Sequence, residues 1–151
     1  MAMYNVQCAM CNVQCAMYNV QCAMYNDCGG SVMEENIILS KSKVFALRII
    51  KLYQYLCESK KEYVLSKQIL RSGTSIGANA KEGANAQSKA DFNAKMYIAY
   101  KEANETEYWL ELLHESGYID NKSFESIYSD CKELIKILAA ITKNQRGERN
   151  K

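Results

Sequence analysis

The chain has 151 residues, a formal net charge of +2 and no proline. This length is typical of one domain with a sizeable core, and so small a charge excludes attraction to nucleic acid by the molecule as a whole, so any such attraction needs a local basic surface. Long periodic runs of leucine, isoleucine, alanine, lysine and glutamate favour an all-α protein. The sequence shows neither a long uncharged apolar run nor a basic and apolar leader, so we expect a cytoplasmic protein without a membrane span.

The N-terminal part is a tandem repeat, because residues 3–26 copy the unit MYNVQCA with almost no variation. Coiled coils conserve residue class and vary residue identity, so near-identical copies indicate a duplication of coding DNA. We therefore predict three parts, with residues 1–32 outside the fold, a bundle over residues 33–145 and a polar tail over residues 146–151. A short coiled coil, with the valines of the repeat along its seam, is the alternative for the first part.

Five of the seven cysteines lie in the repeat or directly after it. Cys8 and Cys11 form a C-x-x-C pair, which resembles half of a zinc site. Cys11, however, stands where the other copies carry tyrosine, and Cys57 and Cys131 are isolated in helical patterns, so no second pair completes such a site. We expect no metal and no cofactor, and we interpret the two isolated cysteines as small buried residues.

Apolar residues at spacings of three and four predict the first two helices. Helix one is expected from Lys43 to about Glu58, with Ser42 as its N-cap. A polar link then leads to helix two, for which Ser66 is the candidate cap. The predicted core stripes of these helices contain Phe45, Ile49, Leu52, Leu56, Ile69, Gly73, Ile76, Ala80, Gly83 and Gln87.

Two further helices follow with the same periodicity. Ser88 and Asp91 resemble a capping box that opens helix three, and Gly117 is placed to end it. Asp120 is the expected cap of helix four, which should continue to about Lys143. Four helices with short links predict an antiparallel up-down four-helix bundle.

Helix two carries three glycines, Gly73, Gly77 and Gly83, within the stretch SGTSIGANAKEGANA. Each glycine in a helix interior costs about 1 kcal/mol relative to alanine, so these positions need compensation from close packing. Ala99 and Ala103 supply small side chains on helix three. We therefore expect helix two to approach helix three closely.

Three stretches, FALRIIKLYQYL, LRSGTSIGANAKEG and KMYIAYKEANETEYWLELLHESGYI, resemble a known family. This family comprises bacterial four-helix-bundle proteins related to those encoded in intervening sequences of 23S ribosomal RNA genes, and the resemblance covers residues 36–143. A related branch contains the accessory variability determinant of diversity-generating retroelements, which forms a ring of five and binds nucleic acid and a reverse transcriptase. The resemblance thus implies a homo-oligomer, with a pentamer favoured, and an RNA or reverse-transcriptase-type protein as a partner.

The residues give little support to catalysis. Glu111 and His114 form an E-x-x-H pair, but the di-metal bundle proteins use that pair on two helices and this chain has a single histidine. A glycine-rich phosphate loop is also absent from the sequence. We therefore expect a non-enzymatic protein without catalytic residues.

Carboxylates on an apolar helix stripe need partners, and helix three carries two of them. Helix two offers polar residues at matching positions. We predict a structural polar network that fixes helix register, with a ligand pocket as the alternative. The residues of this predicted network are Arg71, Ser75, Asn79, Glu102 and Glu105.

Helix three is apolar on a second face, although a monomeric bundle needs only one apolar stripe per helix. The surplus predicts a subunit interface, to which the flank of helix one is expected to contribute. The candidate interface residues on helix three are Tyr97, Ile98, Tyr108, Trp109 and Leu112.

Basic residues form a strip on helix one and continue into the following link. The candidate nucleic-acid contacts are Lys41, Arg48, Lys51, Lys60, Lys61 and Lys67. A cyclic assembly would repeat this strip and increase the number of phosphates contacted. The leading hypothesis is therefore an oligomeric scaffold that binds RNA or a nucleoprotein partner. The alternatives are a purely protein-binding oligomer and, more distantly, a small-molecule enzyme.

Overall fold

A computed structural model describes residues 30–147, with side chains over residues 37–143. Of the described residues, 34–147 belong to one compact unit. The tandem repeat with its cysteines, including the Cys8 and Cys11 pair, lies outside the described residues, as does the end of the polar tail. The predictions made for those segments therefore remain predictions.

The described residues form four α-helices and no strand, which confirms the all-α four-helix fold class. In chain order, the loops that connect the helices have about six, four and five residues. The helices are α1 (Gly30–Glu58), α2 (Leu65–Ala84), α3 (Lys89–Glu115) and α4 (Asn121–Gly147).

The core consists of the apolar stripes that the sequence spacing predicts, except that α2 ends at Ala84, so Gln87 lies beyond the helix and is exposed. Each large side chain removed from water contributes about 1.5–3 kcal/mol relative to its exposed state. Within residues 30–147, no helix has both the length and the apolar character that a membrane span requires. The fully buried apolar side chains include Phe45, Ile49, Leu56, Ile69, Ile76, Met96, Leu110, Leu113, Leu134 and Leu138.

The predicted start of helix one was wrong. Helix α1 begins before Ser42, and the apolar stripe already starts at Ile38, whose side chain is fully buried. Ser42 therefore lies in the helix interior, where its hydroxyl donates a hydrogen bond to the carbonyl oxygen of Leu39 at 3.2 Å. Helix four is also longer than predicted, because α4 continues past Lys143 to Gly147.

The predicted cap of helix two was also wrong, because a carboxylate caps α2 instead of Ser66. The Glu62 side chain accepts hydrogen bonds from the backbone N–H groups of Val64 and Leu65, both at 2.9 Å, and of Ser66 at 2.7 Å. Burial by itself raises the pKa of Glu62, but these backbone hydrogen bonds together outweigh burial and lower it. A buried carboxylate thus satisfies three of the free N–H groups at the start of α2.

The predicted caps of helices three and four and the predicted end of helix three are confirmed. Ser88 caps α3 by accepting the N–H of Asp91 at 3.1 Å. Gly117 has a φ of +76°, the left-handed conformation with which many helices end. Asp120 caps α4 by accepting the N–H of Ser123 at 3.0 Å.

The glycines of α2 differ in what they pack against. A Cβ atom added to Gly73 would lie 2.8 Å from Cγ1 of Ile49, and one added to Gly77 would lie 3.4 Å from Oγ of Ser42. Both neighbours belong to α1, whereas Gly83 faces α3. The prediction that helix three is the close neighbour was therefore wrong for the first two glycines, because their faces of α2 meet α1.

Candidate functional site

An ion pair links α2 to α3 through two residues of the predicted polar network. The Arg71 guanidinium lies 2.5 Å from Oε1 of Glu105, and the indole N–H of Trp109 donates to the same oxygen at 3.2 Å. The Arg71 side chain is 57% exposed, so this pair lies at the surface, where ion pairs contribute about 0–1 kcal/mol. The hydrogen bond to Glu105 thereby places the Trp109 indole next to the ion pair that joins α2 and α3.

The structure does not join the other three residues of the predicted network to this pair. The side-chain amide of Asn79 donates to the carbonyl oxygen of Ser75 at 2.9 Å, within α2 itself. Oε2 of Glu102 is buried without a hydrogen-bond partner among the described residues. The buried side-chain hydrogen bond between the two helices instead joins the hydroxyls of Thr106 and Ser72 at 2.9 Å.

A second polar group, which the sequence reasoning missed, joins α3 to α4. The Tyr128 hydroxyl lies 2.8 Å from Oε1 of Glu111 and 2.9 Å from Oε1 of Glu107, and Nζ of Lys132 lies 2.6 Å from the same Glu107 oxygen. The hydrogen bond to Glu111, burial and the bond to Glu107 raise the pKa of Tyr128. We call these four residues the tyrosine–carboxylate cluster. The i, i+4 spacing of the two glutamates was the available signal, but their partners lie on another helix.

The E-x-x-H pair does not form a site, because its members have different partners. Glu111 belongs to the tyrosine–carboxylate cluster, whereas Nε2 of His114 lies 2.7 Å from Oδ1 of Asn121. The imidazole also stacks on the Phe124 ring, with the ring centroids 4.1 Å apart. In the described part of the chain, no group of three or more histidine, cysteine, aspartate or glutamate side chains could hold a metal ion.

The two cysteines within the bundle differ in exposure. Cys131 is buried, its thiol donates to the carbonyl oxygen of Ala103 at 3.5 Å, and burial raises its pKa to about 12. Cys57 is half-buried, with its sulfur 3.7 Å from the carbonyl oxygen of Glu62. The predicted burial thus holds fully for Cys131 and partly for Cys57.

The basic residues of α1 do not form a uniform positive strip. Nζ of Lys41 lies 3.0 Å from Oε2 of Glu133, and Arg48 forms an ion pair with Asp130. Both carboxylates belong to α4, so the charges of Lys41 and Arg48 are compensated within the bundle. Lys51 is exposed, and no ion pair to it is present among the described residues.

The three remaining basic candidates surround the connection between α1 and α2. All three are exposed and lack an ion pair within the described residues, and Lys60 lies with Nζ 5.9 Å from the ring centroid of Tyr55. Exposed apolar side chains accompany them, which the sequence reasoning did not single out. We call this group the turn patch, and its members are Tyr55, Lys60, Lys61, Tyr63, Val64 and Lys67.

The second apolar face predicted for helix three is present on α3. Tyr97, Ile98 and Tyr108 are 42%, 40% and 53% exposed, and Trp109 and Leu112 are half-buried beside them. The Tyr108 and Trp109 rings contact each other, with centroids 5.2 Å apart. We call these five residues the outer stripe of α3. Trp109 also packs against the core, whereas the exposed Tyr97, Ile98 and Tyr108 lie on another face of the helix than the core stripe of α3.

Comparison with known proteins places the fold in a family. The family model described as "23S rRNA-intervening sequence protein" matches residues 34–140, which is more than half of the chain. The chain belongs to this family. A 1.70 Å crystal structure of a protein with unknown function, from the S23 ribosomal protein family of Bacteroides thetaiotaomicron VPI-5482, is 55% identical to it. The similarity covers 73% of this chain and 98% of that chain, with a TM-score of 0.71. No curated protein matches the chain.

Proposed function

We propose that this member of the family is a non-enzymatic scaffold that assembles with copies of itself and binds RNA. The observation that carries the proposal is the outer stripe of α3. Its side chains share one face of the helix, with Tyr97 and Ile98 about three turns before Tyr108 and Trp109. Exposed apolar surface of this kind on soluble proteins marks interaction sites. Burial of apolar surface between subunits is the main favourable term in association.

The flank of α1 supplies a second apolar surface for the same contact. Leu47 and Ile50 are 54% and 38% exposed on this helix. A ring of three or more subunits needs two different surfaces on each subunit, one for each neighbour. The outer stripe of α3 and the flank of α1 meet that requirement, and the family resemblance favours a ring of five.

Sedimentation of the purified protein tests the assembly. The parent should sediment as an oligomer at micromolar concentration, and the double substitution Ile98→Glu with Tyr108→Glu should shift it to the monomer. Both side chains are already partly exposed, so the monomer should keep its helical content. The control is Ala140→Glu, which adds a carboxylate at an exposed position of α4. A parent that sediments as a monomer would refute the proposal.

RNA binding is supported by exposed lysines that form no ion pair within the described part of the chain, and by the family's connection with ribosomal RNA genes. Each lysine that contacts a phosphate releases counterions, so binding strengthens with the number of lysines and weakens with salt. An assembly multiplies the number of lysines available to one RNA strand. The lysines involved are Lys51, Lys60, Lys61 and Lys67.

The test of RNA binding compares affinity at about 50 and about 200 mM salt, where phosphate contacts lose much of their strength. The parent should bind more weakly at the higher salt, and Lys60→Glu with Lys61→Glu should weaken binding at both. Lys43→Glu with Lys136→Glu changes the net charge equally at exposed positions of α1 and α4, and it is the matched control. Absence of binding by an assembled parent would contradict the RNA-binding role.

A purely protein-binding oligomer is the second candidate. The ion pairs of Lys41 with Glu133 and of Arg48 with Asp130 favour it, because they remove two charges from the basic strip of α1. This candidate predicts the same assembly without salt-sensitive RNA binding. The two experiments together therefore separate the candidates.

A further inference from the structure

The turn patch exposes apolar side chains that contribute little to the fold. Val64 is 70% exposed and Tyr63 is 51% exposed, and Tyr55 beside them is 41% exposed. A tyrosine or valine without a folding role in an accessible turn is a feature of contact surfaces. The patch lies away from the core, so its residues are available to a partner.

The backbone of this turn is held in place at several points. The N–H of Glu62 donates to the carbonyl oxygen of Leu56 at 3.0 Å, and the Glu62 carboxylate accepts three backbone N–H groups, including that of Val64. Lys61 has a φ of +55°, which allows the sharp change of direction. Tyr63 is thus presented on a fixed backbone, and a partner that binds it need not order the turn.

The charge of the turn is positive although it contains carboxylates. Lys60, Lys61 and Lys67 are exposed, whereas the Glu62 charge is directed into the N-terminal amides of α2. Glu58 is the exposed carboxylate at the end of α1. The exposed surface of the turn thus carries the Tyr63 ring and three lysines against one carboxylate, and Nζ of Lys60 lies 5.9 Å from the ring centroid of Tyr55.

Exposed aromatic rings and exposed lysines within one turn match the chemistry of single-stranded nucleic acid. Unpaired bases stack on aromatic side chains while lysines contact the flanking phosphates, and this combination is tolerant of sequence. Bases within a duplex are already stacked on one another and do not offer a free face. Charge complementarity therefore favours a nucleic acid, and the exposed ring favours a single strand.

We infer that the turn patch binds single-stranded RNA, with a base stacked on Tyr63 and adjacent phosphates held by Lys60, Lys61 and Lys67. The inference rests on the proposed RNA binding and names its site and the form of RNA. Val64 and Tyr55 complete the apolar part of the surface. Because each subunit carries one patch, an assembly would present several patches to one strand.

The test measures fluorescence anisotropy of a labelled, unstructured RNA of about 12 nucleotides, and of the duplex of the same sequence, with the full-length protein. Tyr63→Ala should lower the affinity for the single strand by between about five-fold and about a hundred-fold, the range that base stacking on an aromatic ring provides. Tyr63→Phe keeps the ring and should bind as the parent does. Because Tyr63 is exposed, circular dichroism and the melting temperature should not change.

The outcomes distinguish this inference from the proposed function. If the parent binds no RNA, the inference and the proposed RNA binding both fail. If the parent shows salt-sensitive binding but Tyr63→Ala binds the single strand as tightly as the parent, the inference is overturned and the proposed function stands. The inference is also overturned, and the proposed function stands, if Tyr63→Ala weakens binding of the duplex and of the single strand by the same factor. If Tyr63→Ala instead changes the sedimenting mass, the patch is a protein contact and the inference is overturned.

Discussion

Helices α2 and α4 both pack against α1 and α3, but they do so through different chemistry. Helix α2 uses small residues, with Gly73 against Ile49 and a buried hydroxyl pair between Ser72 and Thr106. Helix α4 uses long polar side chains, including the ion pairs of Lys41 and Arg48 and the tyrosine–carboxylate cluster. Both sides contain ion pairs, including that of Arg71 with Glu105 on the side of α2, so what distinguishes the side of α2 is its close contact at small residues.

This difference has consequences for stability. A close contact without side chains at the crossing tolerates little added volume, because neighbouring atoms in a packed core cannot move freely. Ion pairs at the surface tolerate substitution well, since solvent screens them. The side of α2 should thus be sensitive to added volume, and the side of α4 should respond weakly to the loss of single polar groups.

The largest effect is expected for Gly73→Leu. An added Cβ alone would lie 2.8 Å from Cγ1 and 3.0 Å from Cγ2 of Ile49, so a leucine must displace α1. We expect a loss of about 3 kcal/mol in the free energy of unfolding, measured by urea denaturation. At Gly77 an added Cβ would lie 3.4 Å from the nearest atom, an ordinary contact, so Gly77→Ala should be neutral or stabilise by up to about 1 kcal/mol. Equal losses for the two variants would contradict the assigned contacts.

An intermediate effect is expected for Glu62→Gln, since the side of α2 depends on this carboxylate at its N-terminus. At neutral pH the variant should lose about 1–2 kcal/mol, because glutamine has a single acceptor oxygen and its NH2 group cannot accept the N–H that the second carboxylate oxygen of Glu62 accepts. The lowered pKa of Glu62 means that its contribution is present above the unfolded value of about 4.5 and is lost as the pH falls through the lower folded pKa. Urea denaturation of both proteins at neutral pH and at about pH 3 measures this, and the difference should shrink in acid. A difference that is the same at both pH values would contradict this role.

A smaller effect is expected on the side of α4, where Tyr128→Phe removes the hydroxyl between Glu107 and Glu111. Glu107 keeps Lys132 as its partner, so only part of the cluster loses its hydrogen bonds. We expect a loss of about 1 kcal/mol in the free energy of unfolding. Tyr108→Phe, at an exposed position of α3, is the control and should have no measurable effect in the same urea titration. A parent-like stability for Tyr128→Phe would show that the cluster does not stabilise the α3–α4 contact.

The smallest effect is expected for Lys41→Met, which removes an ion pair whose side chains are 40% and 52% exposed. The loss should be below about 0.5 kcal/mol and should decrease further in high salt. Thermal denaturation at low and high salt provides the measurement. A loss as large as that of Gly73→Leu would remove the distinction between the two sides of the bundle.

The sequence predicts the features of this fold that depend on neighbours along the chain. The apolar stripes, the cap at Ser88 and the helix end at Gly117 are all local, and each was predicted correctly. Ser42 and Ser66 were assigned as caps because serine favours that position, but an earlier apolar residue extends α1 and the Glu62 carboxylate satisfies the amides of α2. In both cases a stronger interaction replaces the weaker local preference.

Contacts between helices were harder to predict. Arg71 and Glu105 were expected to interact and do, because their side chains have opposite charge and lie on facing stripes. The tyrosine–carboxylate cluster was missed, because its hydrogen bonds join residues that are 17 to 25 positions apart in the sequence. Each of these residues, taken alone, looks like an ordinary polar surface residue of a helix. The exposure of Tyr63 was also missed, because sequence periodicity does not extend into a turn. The candidate site therefore required the structure, whereas the fold class did not.

The burial of Cys131 gives the bundle an internal chemical reporter of opening. Only a thiolate reacts with alkylating reagents, and a pKa of about 12 together with burial leaves almost no reactive thiolate in the folded state. Modification of Cys131, located by peptide mapping, should therefore require α4 to separate from α3. The half-buried Cys57 should react without such a separation. The ratio of the two modification rates would then report how often the core opens.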